Sequence, residues 1–196
     1  MNLTEMRARV REDLQDTDSQ NCRWTDDEVD GAIDRVVTEY SLHAPIEQQD
    51  DIATTDGDTE LDISSLSGLL EIESVEFPVG QNPKYLQRTG YWANKLYMED
   101  EGDGEDARVR WLKKHTLTAE STTIPAEHEE IIVLGATGYL AMSASAYTVD
   151  RASIAGRHAT INYKAWGKER LDRYDKKLKA IARANRVTPR ELYTEE

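Results

Sequence analysis

The sequence of 196 residues contains one cysteine, five prolines and few aromatic residues, which make up 7% of the chain. The single cysteine, Cys22, excludes an internal disulfide and a cysteine metal cluster, and it fits a reducing compartment. A basic surplus is absent as well, because 24 Lys and Arg stand against 38 Asp and Glu, which gives a formal net charge of -14. This length allows one domain with a sizeable core, or one domain that carries a smaller inserted one.

The sequence also lacks the residue patterns of common catalytic and metal sites. The run HEE at 128–130 is without the second histidine of a zinc-binding helix, and the run GATG at 135–138 lacks the Lys-Ser/Thr of a phosphate-binding loop. Residues 16–27 imitate a calcium loop, but they lack its central glycine and its final glutamate. The sequence therefore predicts no enzyme activity, no cofactor and no bound metal ion.

The longest uncharged run lies between Glu130 and Asp150. Pro125 and the glutamates that follow it are typical of the first turn of a helix, so the sequence predicts a helix over residues 125–147. A helix without charge on any side has to be covered on every side. Small residues recur along it at three-residue spacing: Gly135, Gly138, Ala141 and Ala144. Such a row lets a neighbouring backbone approach closely, and we therefore predict the central helix of a packed bundle.

A membrane span is the alternative for this helix, since residues 131–149 are nearly long enough to cross a hydrocarbon core. Much of the run is Gly, Ala, Ser and Thr rather than Leu, Ile or Phe, and no basic cluster flanks it. We therefore favour burial by protein and expect no membrane contact.

Three further helices are predicted from their ends and their periodicity. The first begins after Asn2, with Glu5 completing a capping box, and the second begins at Thr25 with the same kind of box and ends before Pro45. The last covers residues 161–184, where apolar side chains recur at spacings of three and four.

Between the helix that begins at Thr25 and the uncharged helix over residues 125–147, which is helix 3 in chain order, the sequence shows the two-residue alternation of strands. The predicted strands are residues 52–55, 60–63, 70–77, 84–87, 95–98 and 108–111. The predicted fold class is α+β, mainly a bundle of four helices with a small antiparallel β-sheet inserted between helices 2 and 3. The predicted parts are an N-terminal helical hairpin (1–49), a β-rich subdomain (50–118), long helices that complete the bundle (119–184) and a C-terminal docking tail (185–196).

Five aromatic residues supply most of the bulk of the predicted sheet: Tyr85, Tyr91, Trp92, Tyr97 and Trp111. We predict that they form its core and edge rather than a platform for stacking nucleic-acid bases. The reason is that the segment is acidic and would repel phosphate.

Charge is distributed unevenly along the chain. Residues 1–150 carry 12 Lys and Arg against 32 Asp and Glu, whereas residues 151–196 carry 12 against 6. The cations of the last helix fall on its predicted outer face: Lys164, Lys168, Arg170, Arg173, Lys176, Lys177, Lys179 and Arg183. This face has three interpretations, namely a solvated surface, a contact with an acidic partner or neighbouring subunit, or a nucleic-acid contact that the acidic remainder would oppose.

The acidic residues are dispersed, and arginine is more frequent than lysine. This composition is typical of proteins that work in very high salt, where the Debye length falls to a few ångströms and screens self-repulsion. We therefore expect an extremely halophilic host.

Four segments, taken in order and with their spacing, resemble the head-to-tail connector (adaptor) proteins of tailed double-stranded DNA viruses. They are RWTDDEVDGAIDRVVTEYSLHAP, LEIESVEFPVGQNPK, IPAEHEEIIVLGATGYLAMSASAY and YKAWGKERLDRY. The resemblance implies a homo-oligomeric ring, a dodecamer, in the virion neck between capsid and tail, assembled in the host cytoplasm. A portal protein would lie above the ring and a tail or stopper protein below it, with genomic double-stranded DNA passing through the channel.

The resemblance also implies contact residues. The portal-docking residues would be Arg183, Arg186, Arg190, Leu192 and Tyr193. The subunit interface would use the basic face of the last helix and the start of the second helix: Lys168, Arg173, Lys176, Lys177, Asp26, Asp27 and Asp30. Two alternatives remain, namely a nucleic-acid-binding regulatory protein that uses Lys176, Lys177 and Lys179, and a tail-completion protein of the same kind of particle.

Overall fold

A computed structural model describes residues 1–18, 20–148 and 163–184, without the side chains of 146–148 and 184. The chain divides into two units. One comprises Met1–Ala44 and His115–Glu196, and we call it the helical unit; the other is Pro45–Lys114, and we call it the strand unit.

The helical unit contains four α-helices within its described residues: α1 (Leu3–Asp13), α2 (Asp26–His43), α3 (Glu129–Thr148) and α4 (Tyr163–Ala184). A 3-10 turn, Ala126–His128, leads into α3. The predicted capping boxes are confirmed, because Asn2 and Thr25 each accept a hydrogen bond from the backbone of the glutamate three residues later. The helices therefore begin where local hydrogen bonding satisfies their first N–H groups.

α3 packs against all three other helices of this unit. Its Ile132, Val133 and Ala136 are fully buried, in a core that every helix of the unit joins. None of the described helices combines the length and the hydropathy that crossing a bilayer requires.

The row of small residues on α3 lies against α4. A Cβ added to Gly138 would be 2.9 Å from Cγ and Cδ2 of Leu171, and one added to Gly167 would be 3.1 Å from the carbonyl oxygen of Gly138. These spaces are too small for a side chain, so the two backbones approach closely here. The predicted role of the small residues is confirmed.

The strand unit has six strands within Pro45–Lys114: β1 (Ile46–Ala53), β2 (Glu60–Asp62), β3 (Leu69–Glu76), β4 (Gly90–Trp92), β5 (Lys95–Tyr97) and β6 (Asp106–Lys113). The predicted fold class is wrong, because these strands form two antiparallel sheets of three strands each rather than one small sheet. The strand orders are β1-β6-β3 and β2-β5-β4. Leu61 and Leu96 of the second sheet share a buried cluster with Val75, Val109 and Trp111 of the first, so the unit has its own core.

Two strands lie elsewhere than predicted, and this contributed to the prediction of a single small sheet. β1 begins at Ile46, and because most of its side chains are exposed it lacks the alternation by which a strand is recognised. Residues 84–87 form only an isolated bridge, Leu86 to Glu76, and the strand lies at Gly90–Trp92 instead. Pairing of strands that are distant in sequence, rather than local periodicity, decides which of them share a sheet.

Candidate interaction surfaces

The outer face of α4 carries a row of exposed cations because its other face is fixed in the core. Tyr174, Leu178 and Ile181 are buried at helical spacing, and the Tyr174 hydroxyl donates to the Val36 carbonyl at 3.3 Å. Burial raises the pKa of the Tyr174 phenol. The cations predicted for the subunit interface all point to solvent: Lys168, Arg173, Lys176 and Lys177.

Only part of this charge is compensated within α4. Arg173 pairs with Glu169 one turn earlier, and Lys179 pairs with Asp175 at 2.6 Å. Lys168, Lys176 and Lys177 form no ion pair with any residue that the structure describes. The face therefore keeps a net positive charge that is available to another molecule.

Arg170 was predicted on this outer face, and that prediction is wrong. Its Nε donates to the Thr137 hydroxyl at 2.7 Å, its guanidinium pairs with Asp13, and it lies over the Trp166 ring at 4.7 Å from the centroid. Position 170 is one turn from both Trp166 and Tyr174, so it borders the buried seam. The fully buried Thr137 hydroxyl gains a polar partner there.

The acidic start of α2 is largely bound within the chain. Asp30 accepts from Nε and Nη2 of Arg7 at 2.8 and 2.6 Å, and Asp26 accepts from Arg11 at 2.7 Å. The hydrogen bond from Arg11 lowers the pKa of Asp26. Asp27 is exposed. This clamp of Arg7 and Arg11 on Asp30 and Asp26 was not predicted, although the two arginines are four residues apart on α1 and the two aspartates four apart on α2.

The loop between α1 and α2 depends on one buried carboxylate. Asp16 pairs with Arg11 at 2.7 Å and accepts from the backbone N–H of Arg23, also at 2.7 Å. No group of side chains suited to holding a metal ion occurs in the described residues. The carboxylate that imitates a calcium ligand in the sequence thus serves as an acceptor that closes the loop.

A buried polar cluster lies where α2 ends. Nε2 of His115 is 2.9 Å from the Ala44 carbonyl oxygen, and Nδ1 is 3.0 Å from the Thr123 carbonyl oxygen. Burial lowers the pKa of His115. Beside it, the Tyr40 hydroxyl is 2.6 Å from Nδ1 of His128, and burial raises the pKa of Tyr40 to about 12. Scattered histidines gave no signal for this cluster in the sequence.

The predicted portal-docking residues lie mainly outside the described part of the chain. Arg183 is exposed in the last turn of α4. Arg186, Arg190, Leu192 and Tyr193 fall outside the described residues, so their role remains a prediction.

The aromatic residues of the strand unit fall into two groups. Trp111 is buried, as predicted, and its Nε1 donates to Asp50 at 2.7 Å. The prediction that the other four form core and edge is wrong as to the core, because Trp92 is 76% exposed and Tyr91 is 56% exposed. Tyr85 and Tyr97 are exposed as well. The unit thus presents large apolar side chains to solvent.

No model of a protein family matches the chain, and no curated protein matches it. Among solved structures, a chain in the neck of an empty gene transfer agent particle, computed with C6 symmetry, aligns with a TM-score of 0.29 and 9% identity over 85% of this chain and 88% of that chain. A chain in the virion of a native gene transfer agent particle aligns with a TM-score of 0.31 and 10% identity over 89% and 88%, respectively. Values this low assign neither a family nor a function.

Proposed function

We propose that the protein is a head-to-tail adaptor that forms a ring of twelve copies beneath a portal protein. In this role a tail or stopper protein binds below the ring, and double-stranded DNA passes through its channel. The sequence segments that resemble head-to-tail adaptors support the proposal. The structural observation that carries it is the exposed cationic face of α4 on a chain whose remainder is strongly acidic.

Two patches of opposite charge suit a cyclic assembly. In a head-to-tail contact each subunit offers one patch and receives a different one, and a ring results when the rotation closes. Lys168, Lys176 and Lys177 of one copy would face the acidic surface of the next, which includes the exposed Asp27. Asp26 and Asp30 already pair with arginines of α1. They would therefore contribute to the acidic surface through their charge rather than as partners for the lysines of another copy.

These charges orient the contact more than they hold it. An exposed ion pair contributes roughly 0–1 kcal/mol, and salt reduces this further. The ring therefore depends on apolar area that is buried between copies. The charge pattern selects which faces meet and suppresses wrong contacts.

The ring is tested by measuring the mass of the purified protein by light scattering over a range of concentrations. We expect assembly to a closed multiple of the 22.3 kDa chain. The double variant K176E/K177E should weaken assembly, whereas K176R/K177R keeps the charge and should assemble as the wild type does. A protein that stays monomeric at every concentration would refute the ring.

Portal binding is tested with a truncation after residue 184. The truncated protein is expected to stay folded and soluble, as judged by circular dichroism, and to lose capture by the portal protein. Point variants R186E and R190E in the full chain should show the same loss in part. Undiminished capture of the truncation would contradict the role of the tail.

The dispersed acidic residues support a further part of the proposal, that the particle infects an extreme halophile. At molar salt the Debye length is about 3 Å, so the repulsion among the 38 acids is screened. Helical circular dichroism should decline on dialysis to dilute buffer. Identical spectra at both salt concentrations would count against this part alone.

A regulatory protein that binds double-stranded DNA is the second candidate function, because three lysines of α4 are exposed: Lys176, Lys177 and Lys179. A gel-shift titration at two salt concentrations distinguishes it, because phosphate contacts weaken steeply with salt. A tail-completion protein would also form a ring, but capture would then recover tail-tube protein rather than portal.

A further inference from the structure

One segment of the strand unit has a charge opposite to its surroundings. The unit Pro45–Lys114 carries 16 Asp and Glu against 7 Lys and Arg. Residues 77–98 contain none of these acids, but they do contain Lys84, Arg88 and Lys95. Lys95 pairs with Glu60 and Lys84 lies 3.8 Å from the buried Glu76, whereas Arg88 has no ion pair with any described residue. The exposed Arg88 is thus the cation of this segment most available to another molecule.

The same segment exposes aromatic side chains at the edge of a sheet. β4 is an edge strand of the second sheet, because it pairs with β5 on one side and with no described strand on the other. Trp92 and Tyr91 of β4 are 76% and 56% exposed. Exposed apolar residues at an unpaired strand edge are typical of interaction surfaces. We call Arg88, Tyr91 and Trp92 the aromatic edge.

The hairpin explains why the Trp92 side chain lies outside the core. Ala93 and Asn94 both have positive φ, 50° and 62°, which is the pattern of a two-residue type I′ turn between Trp92 and Lys95. Directly paired residues lie on one face of a sheet, so Trp92 shares the face of Lys95. The buried Leu96 and its paired residue Tyr91 lie on the opposite face, which packs into the core of the unit. Tyr91 is still exposed, because β4 is the edge strand of this sheet. The turn therefore holds Trp92 outward.

The backbone leading to the aromatic edge is anchored. The buried Gln87 donates from Nε2 to the Phe77 carbonyl at 2.8 Å and to Asp100 at 2.7 Å, and it accepts from the Asp100 N–H at 3.1 Å. Its own N–H donates to the Val75 carbonyl at 2.8 Å. A surface held in place in this way loses little conformational entropy when it binds a partner.

We infer that the aromatic edge of one copy docks on the acidic surface of a second copy of this chain. Arg, Tyr and Trp are the residue types that dominate binding energy at protein contacts. Outside residues 77–98 the chain carries all 38 of its acids, so a second copy presents the complementary charge to Arg88. The contact joins two different surfaces, which is the kind that a ring requires. The inference rests on the proposed ring and identifies a second place where its subunits meet.

A nucleic acid is the competing occupant, since bases also stack on exposed aromatic side chains. The charge of the strand unit opposes it, because its acids outnumber its cations by 16 to 7 and repel phosphate. The arms of the experiment separate the two occupants.

The experiment measures self-association of the full chain by sedimentation velocity over a concentration series. Trp92→Ser and Tyr91→Ser are each expected to weaken association about tenfold or more. Tyr85→Ser is the matched control, because Tyr85 is 54% exposed in the same unit but lies outside the aromatic edge, and it should stay within about twofold of wild type. Circular dichroism checks that each variant is folded.

Quenching of tryptophan fluorescence by acrylamide gives an independent readout. Trp92 should become protected as protein concentration rises, and Trp92→Phe should abolish the change. If protection instead requires an added single-stranded oligonucleotide, the inference is overturned in favour of nucleic acid. If Trp92→Ser and Tyr91→Ser assemble like the wild type, the inference fails while the ring stands.

The outcomes also separate this inference from the proposed function. Assembly that depends on Trp92, together with no capture by portal protein, would support the contact and refute the adaptor role. A wild-type chain that never associates would overturn both.

Discussion

The two units of this protein reach their folds by different routes. In the helical unit, α1 and α2 begin at capping boxes whose bonds span three residues, and the backbones of α3 and α4 approach through Gly138 and Gly167. In the strand unit, β1 pairs with β6 from Ile46↔Lys113 to Ala53↔Asp106, across more than fifty residues of chain. Hydrogen bonds within a few residues thus decide where α1 and α2 begin, whereas buried side chains and pairings between distant strands decide the sheets.

The largest expected effect tests the separate core of the strand unit. Trp111→Ala removes a side chain that is 3% exposed and should lower the free energy of unfolding by about 3–5 kcal/mol. Because each unit has its own core, urea should then unfold the strands before the helices, visible as two transitions in circular dichroism. Trp92→Ala is the matched control and should change stability by no more than about 0.5 kcal/mol. A single shared transition in Trp111→Ala would show that the two units unfold together.

The next effect tests close packing in the helical unit. Gly138→Ala places a methyl group 2.9 Å from two carbon atoms of Leu171 and should destabilise the protein by about 1–3 kcal/mol. Gly31→Ala on α2 is the control, since beyond the neighbouring residues and backbone of its own helix no heavy atom of the described residues lies within 4 Å of the added methyl group. It should stabilise the protein by about 0.5–1 kcal/mol through helix propensity. Equal effects of the two substitutions in urea unfolding would exclude the close approach of α3 and α4.

A smaller effect distinguishes the units by their response to acid. Burial lowers the pKa of His115, so the unfolded chain binds its proton first, and the stability of the helical unit should fall as pH drops below about 6.5. One such group gives a slope of up to about 1.4 kcal/mol per pH unit. In the strand unit the hydrogen bond from the Gly80 N–H lowers the pKa of Glu76. The ionised Glu76 therefore stabilises the folded unit at neutral pH, and this stabilisation is lost only when the pH falls below about 4.5, the ordinary pKa of a glutamate.

The measurement is urea unfolding between pH 7.5 and 5, followed by helical circular dichroism, which reports on the helical unit. His115→Gln should flatten the slope of the helical signal across this range. His128→Gln serves as the comparison, because it removes the other histidine of the same cluster. A slope that survives in His115→Gln and disappears in His128→Gln would reassign the effect.

The smallest effect concerns the β4–β5 turn. Ala93 has a φ of 50°, a left-handed conformation that is unfavourable for a residue with a Cβ. Ala93→Gly should therefore stabilise the protein by about 1 kcal/mol in urea unfolding. Asn94→Gly should have a smaller effect, because asparagine tolerates this region. Destabilisation by Ala93→Gly would argue against the type I′ turn.

Much of the helical unit could be predicted from the sequence. The starts of α1 and α2, the covered position of the uncharged α3 and the buried seam of α4 all follow from patterns within a few residues. Arg170 was misplaced because its partners, Thr137 and Asp13, lie on other helices. The clamp between Arg7 and Asp30 escaped prediction for the same reason.

The candidate surfaces were predicted in part. The exposed cations of α4 follow from its helical period, and their partner is still a proposal. The exposed Trp92 could not be recognised, because a tryptophan in a strand pattern is equally consistent with a core position and a surface one. The lack of acids in residues 77–98 was the available signal, and it was visible in the sequence.

The sequence was sufficient to place the starts of α1 and α2, to identify α3 as a largely buried helix, and to show how charge divides between the first 150 residues and the rest. The tertiary structure alone decided that the strands form two sheets, that Trp111 lies inside while Trp92 lies outside, and that Arg170 turns inward. The physical reason is the range of the interactions. Helix caps and seams join residues three or four apart, whereas Trp111 and Asp50 bond across 61 positions.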